Sequence, residues 1–165
     1  MTDLNVERIN RVAPYKIEIR GDEYRFESDY GIRYSAWFEQ QEIPGLSAVA
    51  YWFNLSNRSQ KPSPNDAKIR STVIFILEEF FNTNPDVLLY MCDSADEQQA
   101  MRSRLFLRWF NAYGQQSDFY TRTELLIDCD EENYISLIVK RSHPQFKEIV
   151  EKFDKEIAMF RANKP

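Results

Sequence analysis

The sequence contains few of the residues that build common metal and catalytic sites. Its 165 residues include one His, two Cys and four Gly. A single His excludes a multi-His metal site, and two Cys are too few for a zinc ribbon or a disulfide scaffold. The four glycines are widely spaced, so the sequence has neither a GxGxxG turn nor a Walker A loop. With these motifs excluded, the sequence indicates a fold more clearly than an activity.

Charge and hydropathy narrow the range of expected partners. The chain has 21 Lys and Arg against 26 Asp and Glu, which gives a formal net charge of −5. This balance argues against general nucleic-acid binding, because such proteins usually present a basic face. No apolar run is long enough to predict a membrane span, and the polar first residues do not resemble a signal peptide. We therefore expect a cytoplasmic protein with no membrane partner.

Aromatic residues are abundant, with 12 Phe, 9 Tyr and 3 Trp, and 43% of the residues are hydrophobic. A chain of this length and composition can bury a sizeable core as one domain. The polar segment 1–14 is expected to be flexible, or to form a short helix. Residues 15–165 are expected to form a single α+β domain.

Alternation of apolar and polar residues predicts strands in the first third of the chain. Tyr15, Ile17 and Ile19, for example, alternate with charged residues, as in a half-buried strand. Gly21 and Gly31 lie between such runs, where tight turns are expected. The predicted strands cover about 15–20, 24–28, 32–39 and 49–55, and they are expected to form an antiparallel meander.

The middle of the chain changes to helical spacing. Ser63 is the predicted N-cap of a first helix, with Pro64 at its first position and its end near residue 82. A continuous apolar run over 87–92 predicts a strand buried on both faces. A second helix is predicted over 95–113, from a capping box at its start to a glycine at its end. The apolar stripe of the first helix consists of Ile69, Val73, Ile76, Leu77 and Phe80.

The last third predicts a hairpin and a helix. Strands over 119–128 and 134–140 flank an acidic turn at 130–133. His143 and Pro144 begin a final helix with one apolar side, formed by Phe146, Ile149, Val150, Phe153, Ile157 and Phe160. The predicted order is ββββ-α-β-α-ββ-α, a mixed and mostly antiparallel sheet of about seven strands with three helices. The helical connection from the fourth to the fifth strand predicts a parallel, right-handed crossover.

Over residues 24–140 this layout resembles the fold of the GNAT-type N-acetyltransferases. The resemblance implies that CoA pyrophosphate would bind backbone amides at the start of the first predicted helix. The matching stretch, 64–71, lacks the glycines of that family, and Asp66 puts a negative charge where the anion would lie and is expected to act there as an intramolecular cap. The family's general-acid tyrosine also has no clear match, since the aligned region has Arg104 or Leu107. The resemblance therefore implies a degenerate CoA loop.

The chain is also similar to an uncharacterised bacterial domain family. Three motifs carry this similarity. They are D-x-K/R-I at 66–69, LLYxCDS at 88–94 and RxRLFxxWF at 102–110. No activity is implied by this second resemblance.

Two arginines are predicted to lie on the core-facing sides of the first two long helices. Arg70 falls within the apolar arc of the first helix, one turn after Asp66, and Arg102 falls within that of the second. A buried guanidinium needs a partner, and Asp93 at the end of the central strand is another candidate. One interpretation is a pair of structural ion pairs, Asp66–Arg70 and Asp93–Arg102. The other is an anion-binding pocket formed by these four residues at the carboxyl end of the strand.

The remaining candidates have plain structural interpretations. His143 is expected to lie on the surface or to cap a helix, and Cys92 to pack in the buried strand. Cys129 lies in an acidic turn, which disfavours a reactive thiolate. We expect no metal site. Trp37 and Trp52 are interpreted either as core residues under a helix or as an exposed aromatic patch.

Two functional hypotheses follow. The first is a cytoplasmic binding or interaction module on a GNAT-like fold with a degenerate CoA loop and no cofactor. Its partner would be an unknown protein or a small anionic ligand. The alternative is an acyl-CoA-dependent N-acyltransferase with an atypical phosphate site and acetyl-CoA as its cofactor. The sequence leaves the oligomeric state open.

Overall fold

The computed structural model describes residues 1–84, 86–93 and 118–163, with only the backbone for Cys92 and Asp93. This part of the chain contains three helices and seven strands. The fold is α+β, and the elements follow the predicted order. The helix predicted over 95–113, with its caps, lies outside the described residues. The elements are α1 (Val6–Asn10), β1 (Glu18–Arg20), β2 (Glu23–Glu27), β3 (Arg33–Glu42), β4 (Val49–Asn57), α2 (Ala67–Thr83), β5 (Val87–Asp93), β6 (Phe119–Asp128), β7 (Glu131–Lys140) and α3 (Phe146–Ala162).

The strands form one mixed, mostly antiparallel sheet in the order β1-β2-β3-β4-β5-β7-β6. Strands β1 and β2 pair antiparallel, as do β2 and β3, β5 and β7, and β6 and β7. Helix α2 connects β4 to β5, which are neighbours in the sheet. The predicted positions of the meander strands, the central strand and the C-terminal hairpin in the sheet are thereby confirmed. The prediction that the central strand is buried on both faces is wrong at Met91, which is 48% exposed.

The turn between β6 and β7 differs from the prediction. The turn residues are Cys129 and Asp130, with φ of 49° and 65°, and Asp128 pairs directly with Glu131. Two successive residues with positive φ are typical of a type I′ turn, whose twist matches that of the flanking strands. Asp130 is therefore in the turn as predicted, whereas Glu131, Glu132 and Asn133 extend β7, where Glu131 and Glu132 are exposed.

Two compact units are present. Met1–Glu39 and Phe53–Pro85 form the first unit, and Gln40–Trp52 and Asp86–Pro165 form the second. Strands β3 and β4 contribute residues to both. The prediction of a single domain over 15–165 stays a prediction.

The core of the first unit is built on α2. Its buried residues include Val73, Ile76, Leu77 and Phe80, as the helical spacing predicts. The ring of Phe80 stacks on that of Phe38, with 4.8 Å between centroids. Burial of these side chains provides the main driving force for docking α2 on the strands, at roughly 1.5–3 kcal/mol for each large side chain.

The segment before β1 contacts this core. Leu4 and Ile9 are buried, the latter on the short helix α1. The side-chain amide of Asn10 accepts a hydrogen bond from the Ile17 backbone N–H at 2.7 Å and donates one to the Ile17 carbonyl at 3.0 Å. Residues 1–14 therefore include the predicted short helix, and their predicted flexibility stays a prediction.

The second unit has its own core beneath α3. Ile149, Phe153 and Ile157 are buried there, whereas Phe160 at the end of the predicted stripe is 39% exposed. The strand residues of this cluster include Val87, Leu126, Leu137 and Val139. At the edge strand β6, Arg122 bonds to Glu124 and also pairs with Asp154 of α3. Among the described helices, none is long and apolar enough to cross a membrane.

Candidate functional site

The start of α2 is capped by Asp66. Its backbone is extended, with φ −131° and ψ 107°, and its Oδ1 accepts a hydrogen bond from the Lys68 N–H at 2.9 Å. The predicted N-cap, Ser63, is wrong, because the chain stays non-helical until Ala67. The hydroxyl of Ser63 instead accepts a hydrogen bond from the Tyr34 hydroxyl at 2.5 Å. An Asp cap satisfies a backbone donor that an external anion would otherwise bind.

The other carboxylate oxygen of Asp66 is bound by Tyr15. The Tyr15 hydroxyl donates to Oδ2 at 2.5 Å and accepts from the backbone N–H of Asp29 at 3.3 Å. The Tyr15 backbone N–H donates to Oγ1 of Thr72 on α2 at 3.3 Å. Both oxygens of the capping carboxylate therefore have donors from within the first unit.

The state of Tyr15 follows from this environment. Its side chain is buried, with the residue 5% exposed. Burial, and then the hydrogen bond to Asp66, raise the pKa of Tyr15 from 10.0 to about 12. Both effects favour the neutral phenol. Tyr15 is thus a permanent donor to Asp66 at neutral pH.

Lys68 places a positive charge beside this cap. Its Nζ lies 2.8 Å from Oδ2 of Asp29 and 5.8 Å from the centroid of the Tyr15 ring. The hydrogen bond to Asp29 is the main cause that raises the pKa of Lys68. Both side chains are largely exposed, so the pair contributes little to stability. Lys68, which lies beside the cap, therefore already has Asp29 as its carboxylate partner.

Arg70 behaves differently from the prediction of an Asp66–Arg70 ion pair. Arg70 as a residue is half-buried, and Nη1 of its guanidinium donates to the side-chain oxygen of Asn65 at 2.8 Å in an exposed hydrogen bond. Asp66 is directed to Tyr15 and Lys68 instead. Among the side chains that the structure describes, no carboxylate forms an ion pair with Arg70. Within the part of the chain that the structure describes, the positive charge of Arg70 therefore has no carboxylate partner.

The other two predicted site residues are Asp93 and Arg102, and only the backbone of Asp93 is described. Asp93 ends β5, where its backbone pairs with Asn133 of β7. Its side chain and the whole of Arg102 lie outside the described residues. The four-residue anion pocket, and the Asp93–Arg102 ion pair, stay predictions.

The remaining candidates have structural environments. The indole N–H of Trp37 donates to Glu39 at 2.9 Å and that of Trp52 to Gln41 at 3.4 Å, and both tryptophans are half-buried. Each one is therefore neither a core residue nor fully exposed. The residues described in 1–84, 86–93 and 118–163 contain no His, Cys, Asp and Glu cluster that could hold a metal ion.

Of the sequence candidates His143, Cys92 and Cys129, the structure describes the side chains of His143 and Cys129. Nδ1 of His143 accepts a hydrogen bond from the Gln145 N–H at 3.0 Å in the turn before α3. The N-cap of α3 is Gln145 and no side chain caps the helix, so His143 does not occupy the predicted capping position. Cys129 is exposed at the β6–β7 turn. The side chain of Cys92 lies outside the described residues.

A buried carboxylate on α2 was missed by the sequence reasoning. Glu79 is 3% exposed and lies 3.2 Å from Nη2 of Arg8 on α1. It also accepts hydrogen bonds from the Asn5 backbone and the Thr83 hydroxyl. A usable signal exists, because Glu79 follows Ile76 of the predicted apolar stripe by three residues, and residues three apart on a helix are neighbours.

Comparison with known proteins identifies the family of the chain but assigns no activity. A family model described as a family of unknown function (DUF6169) matches residues 65–155, which is more than half of the chain. The matched range includes the capped start of α2, the strands β5 to β7 and most of α3. No curated protein and no solved structure matches the chain.

Proposed function

The chain belongs to this family of unknown function, and we propose that it is a non-catalytic, cytoplasmic binding or interaction module on a GNAT-like fold with a degenerate CoA loop. The observation that carries the proposal is that a side chain of the protein itself, Asp66, already binds a backbone donor at the start of α2. There the carboxylate of Asp66 accepts hydrogen bonds from the Lys68 N–H and from the Tyr15 hydroxyl. A CoA phosphate would meet a negative charge in place of an open backbone donor.

The surrounding residues support the same proposal. The stretch 64–71 contains no glycine, so side chains limit how closely a pyrophosphate can approach the backbone. Lys68, the cation next to the cap, is paired with Asp29. Binding CoA here would require the loss of the Asp66 cap or the approach of a second anion to it.

One observation favours the alternative, an acyl-CoA-dependent N-acyltransferase with an atypical phosphate site. Arg70 bonds to the neutral amide of Asn65, so its charge is suited to a phosphate or carboxylate. The same observation supports a small-anion site at Arg70, whereas the further members of the predicted pocket, Asp66, Asp93 and Arg102, stay predictions. The acyltransferase requires acetyl-CoA to bind, whereas the module needs only the anion or a protein partner.

Thermal unfolding with acetyl-CoA separates the two functions. A ligand present at 100 times its Kd stabilises the folded state by about 2.7 kcal/mol, which raises the Tm by roughly 5–10 °C for a chain of this size. We expect no shift with acetyl-CoA or CoA at millimolar concentration. A saturable shift with both would contradict the non-catalytic module and favour the acyltransferase.

The small-anion ligand has its own test. We expect inorganic phosphate to raise the Tm of the wild type and to have a smaller effect on Arg70→Met. Lys68→Met is the matched control, because Lys68 lies on the same helical turn but is exposed and paired with Asp29. Equal effects of phosphate on all three proteins would indicate a general salt effect and remove Arg70 from the proposed pocket.

A further inference from the structure

The residues that precede α1 are held to the first unit mainly through their backbone. The Thr2 N–H donates to Oδ1 of Asn84 at 2.9 Å, and Nδ2 of Asn84 donates to the Thr2 carbonyl at 3.3 Å. One side-chain amide therefore binds both backbone groups of one residue. Asn84 is 3% exposed, and a further bond from its Nδ2 to the Phe80 carbonyl fixes its orientation at the end of α2.

Two more buried side chains continue this pattern. The hydroxyl of Tyr24 accepts a hydrogen bond from the Leu4 N–H at 3.1 Å, and Oε1 of Glu79 accepts one from the Asn5 N–H at 3.4 Å. Tyr24 and Glu79 are 4% and 3% exposed. Tyr24 of β2, Glu79 of α2 and Asn84 at the end of α2 thus bind backbone groups of three residues of the segment.

Only one side chain in residues 1–4 is buried. Leu4 is 3% exposed, whereas Met1, Thr2 and Asp3 are exposed. Protein domains that recognise non-helical peptides combine the same two features, since backbone hydrogen bonds supply affinity and a pocket for selected side chains supplies specificity. The contacts of residues 2–5 have the form of a peptide held by a receptor.

Residues 2–5 supply a hydrogen-bond partner to each of the three side chains. Without these residues, Asn84, Tyr24 and Glu79 would each lose a bond to the segment and would exchange it for bonds to water. A peptide with a leucine two residues after the residue bound by Asn84 would restore these three bonds and fill the position of Leu4.

We propose that Asn84, Tyr24 and Glu79 line a peptide-binding groove in which residues 2–5 act as an intramolecular ligand, and that a leucine-containing peptide of a partner protein binds there in their place. The inference rests on the proposed interaction-module function and names the class of its partner. The groove lies along the C-terminal half of α2, whereas the CoA question concerns the N-terminal end. Different experiments would therefore contradict the two proposals.

Competition with the tethered segment determines how the groove should behave. A tethered ligand acts at an effective concentration on the order of millimolar. The apparent affinity for a free peptide falls by the fraction of molecules in which the groove is open. The wild type should therefore bind a free peptide weakly, and a variant with an undocked segment should bind it more tightly.

The test uses the full chain and a fluorescent peptide with the sequence of residues 1–13. Fluorescence anisotropy should give an affinity at least about tenfold higher for Leu4→Ser than for the wild type, if the segment is docked in most wild-type molecules. A peptide that itself carries Leu4→Ser should not bind. If folded Leu4→Ser binds the peptide no more tightly than the wild type, the groove is not a peptide site.

A second variant covers the case in which Leu4→Ser does not fold. Thr2→Pro lies at an exposed position and removes the N–H that Asn84 accepts, so it should also increase peptide affinity. Asp3→Ser is the matched control at the exposed neighbour and should leave the affinity unchanged. Equal affinities of Thr2→Pro, Asp3→Ser and the wild type would overturn the proposal.

The oligomeric state separates a partner peptide from a second copy of this chain. We expect a monomer of the wild type by light scattering at the concentrations of the binding assay. A dimer that is lost in Leu4→Ser would mean that two copies exchange their segments, and would overturn the assignment to a partner protein. A failed peptide assay leaves the CoA result as it stands, and CoA binding would not explain peptide binding at the other end of α2.

Discussion

The hydroxyl of Tyr15 and Oδ2 of Asp66 are 2.5 Å apart, and the other oxygen of the same carboxylate caps α2. This bond joins the segment before β1 to the start of a helix that begins about fifty residues later in the sequence. The aromatic ring of Tyr15 stacks on Phe26, which orients the hydroxyl toward the helix. The bond thereby fixes the carboxylate that caps α2, at the position where the proposed GNAT-like fold would need an anion site.

Substitution of Tyr15 by Phe should destabilise the protein. The change removes a donor to a charged acceptor and retains the buried ring. Hydrogen bonds to charged groups contribute roughly 1.5–3 kcal/mol, so we expect the free energy of unfolding in urea to fall by about that amount. Tyr30→Phe is the matched control, because Tyr30 is 61% exposed. Equal stability of both variants would show that the Tyr15–Asp66 bond does not contribute.

The same tyrosine predicts a loss of stability in alkali. The pKa of Tyr15 is raised from 10.0 to about 12 in the folded state, mainly by burial. A raised pKa contributes stability that is complete below pH 10 and is lost as the pH rises from 10 toward 12. Tyr15→Phe should therefore show a shallower decline of unfolding free energy over this range.

The expected decline in the variant is shallower but not absent. Burial also raises the pKa values of Tyr24 and Tyr51, which contribute with the same sign. Chemical denaturation at a series of alkaline pH values gives the slopes directly. Identical slopes for the wild type and Tyr15→Phe would contradict the raised pKa of Tyr15.

The start of α2 shows what the sequence could and could not predict. The helix and its buried stripe follow from spacing, and Ser63 followed by Pro64 fits a cap pattern. The choice of Asp66 depends on Tyr15 and Tyr34, which lie far away in the sequence and bind the two competing side chains. Local patterns carry no information on such long-range partners, so the position of the cap was wrong by three residues.

The candidate site was predictable to a similar degree. The spacing of Asp66 and Arg70 by one turn predicts an ion pair. In the structure the Asp66 carboxylate accepts a hydrogen bond from Tyr15 instead, and Arg70 donates one to Asn65. Glu79 could have been found from its helical position, since it lies three residues after Ile76 of the predicted apolar stripe. The role of Asn84 in binding Thr2 depends on a fold that brings residues 82 positions apart together.

The Glu79 carboxylate should stabilise the docking of α1. Glu79→Gln keeps the size of the side chain but removes its charge, which faces Arg8 at 3.2 Å and the Asn5 N–H at 3.4 Å. We expect a loss of about 1–3 kcal/mol in unfolding free energy, because hydrogen bonds to a buried charge are weakened. Glu7→Gln on the exposed side of α1 is the control. If the two variants have the same urea midpoint, the buried carboxylate has no stabilising role.

The β6–β7 turn offers a substitution that should stabilise the protein. Cys129 has a φ of 49°, a conformation that Asn tolerates better than Cys and that β-branched residues disfavour. Cys129→Asn should raise the unfolding free energy by about 0.5–1 kcal/mol, and Cys129→Val should lower it by about 1–3 kcal/mol. Thermal unfolding under reducing conditions measures both. The reverse ranking of the two variants would contradict the type I′ turn.

The central claim is that Asp66 and Tyr15 fill the position of a CoA phosphate, so that the chain acts as a binding module without CoA chemistry. An NMR titration of the 15N-labelled protein with acetyl-CoA tests it most directly, because the Lys68 amide donates to Asp66 at that position. Up to about 1 mM acetyl-CoA, a hundred times a Kd of about 10 µM, we expect the Lys68 amide resonance to remain unshifted. A saturable shift of that resonance would contradict the claim and favour the acyltransferase.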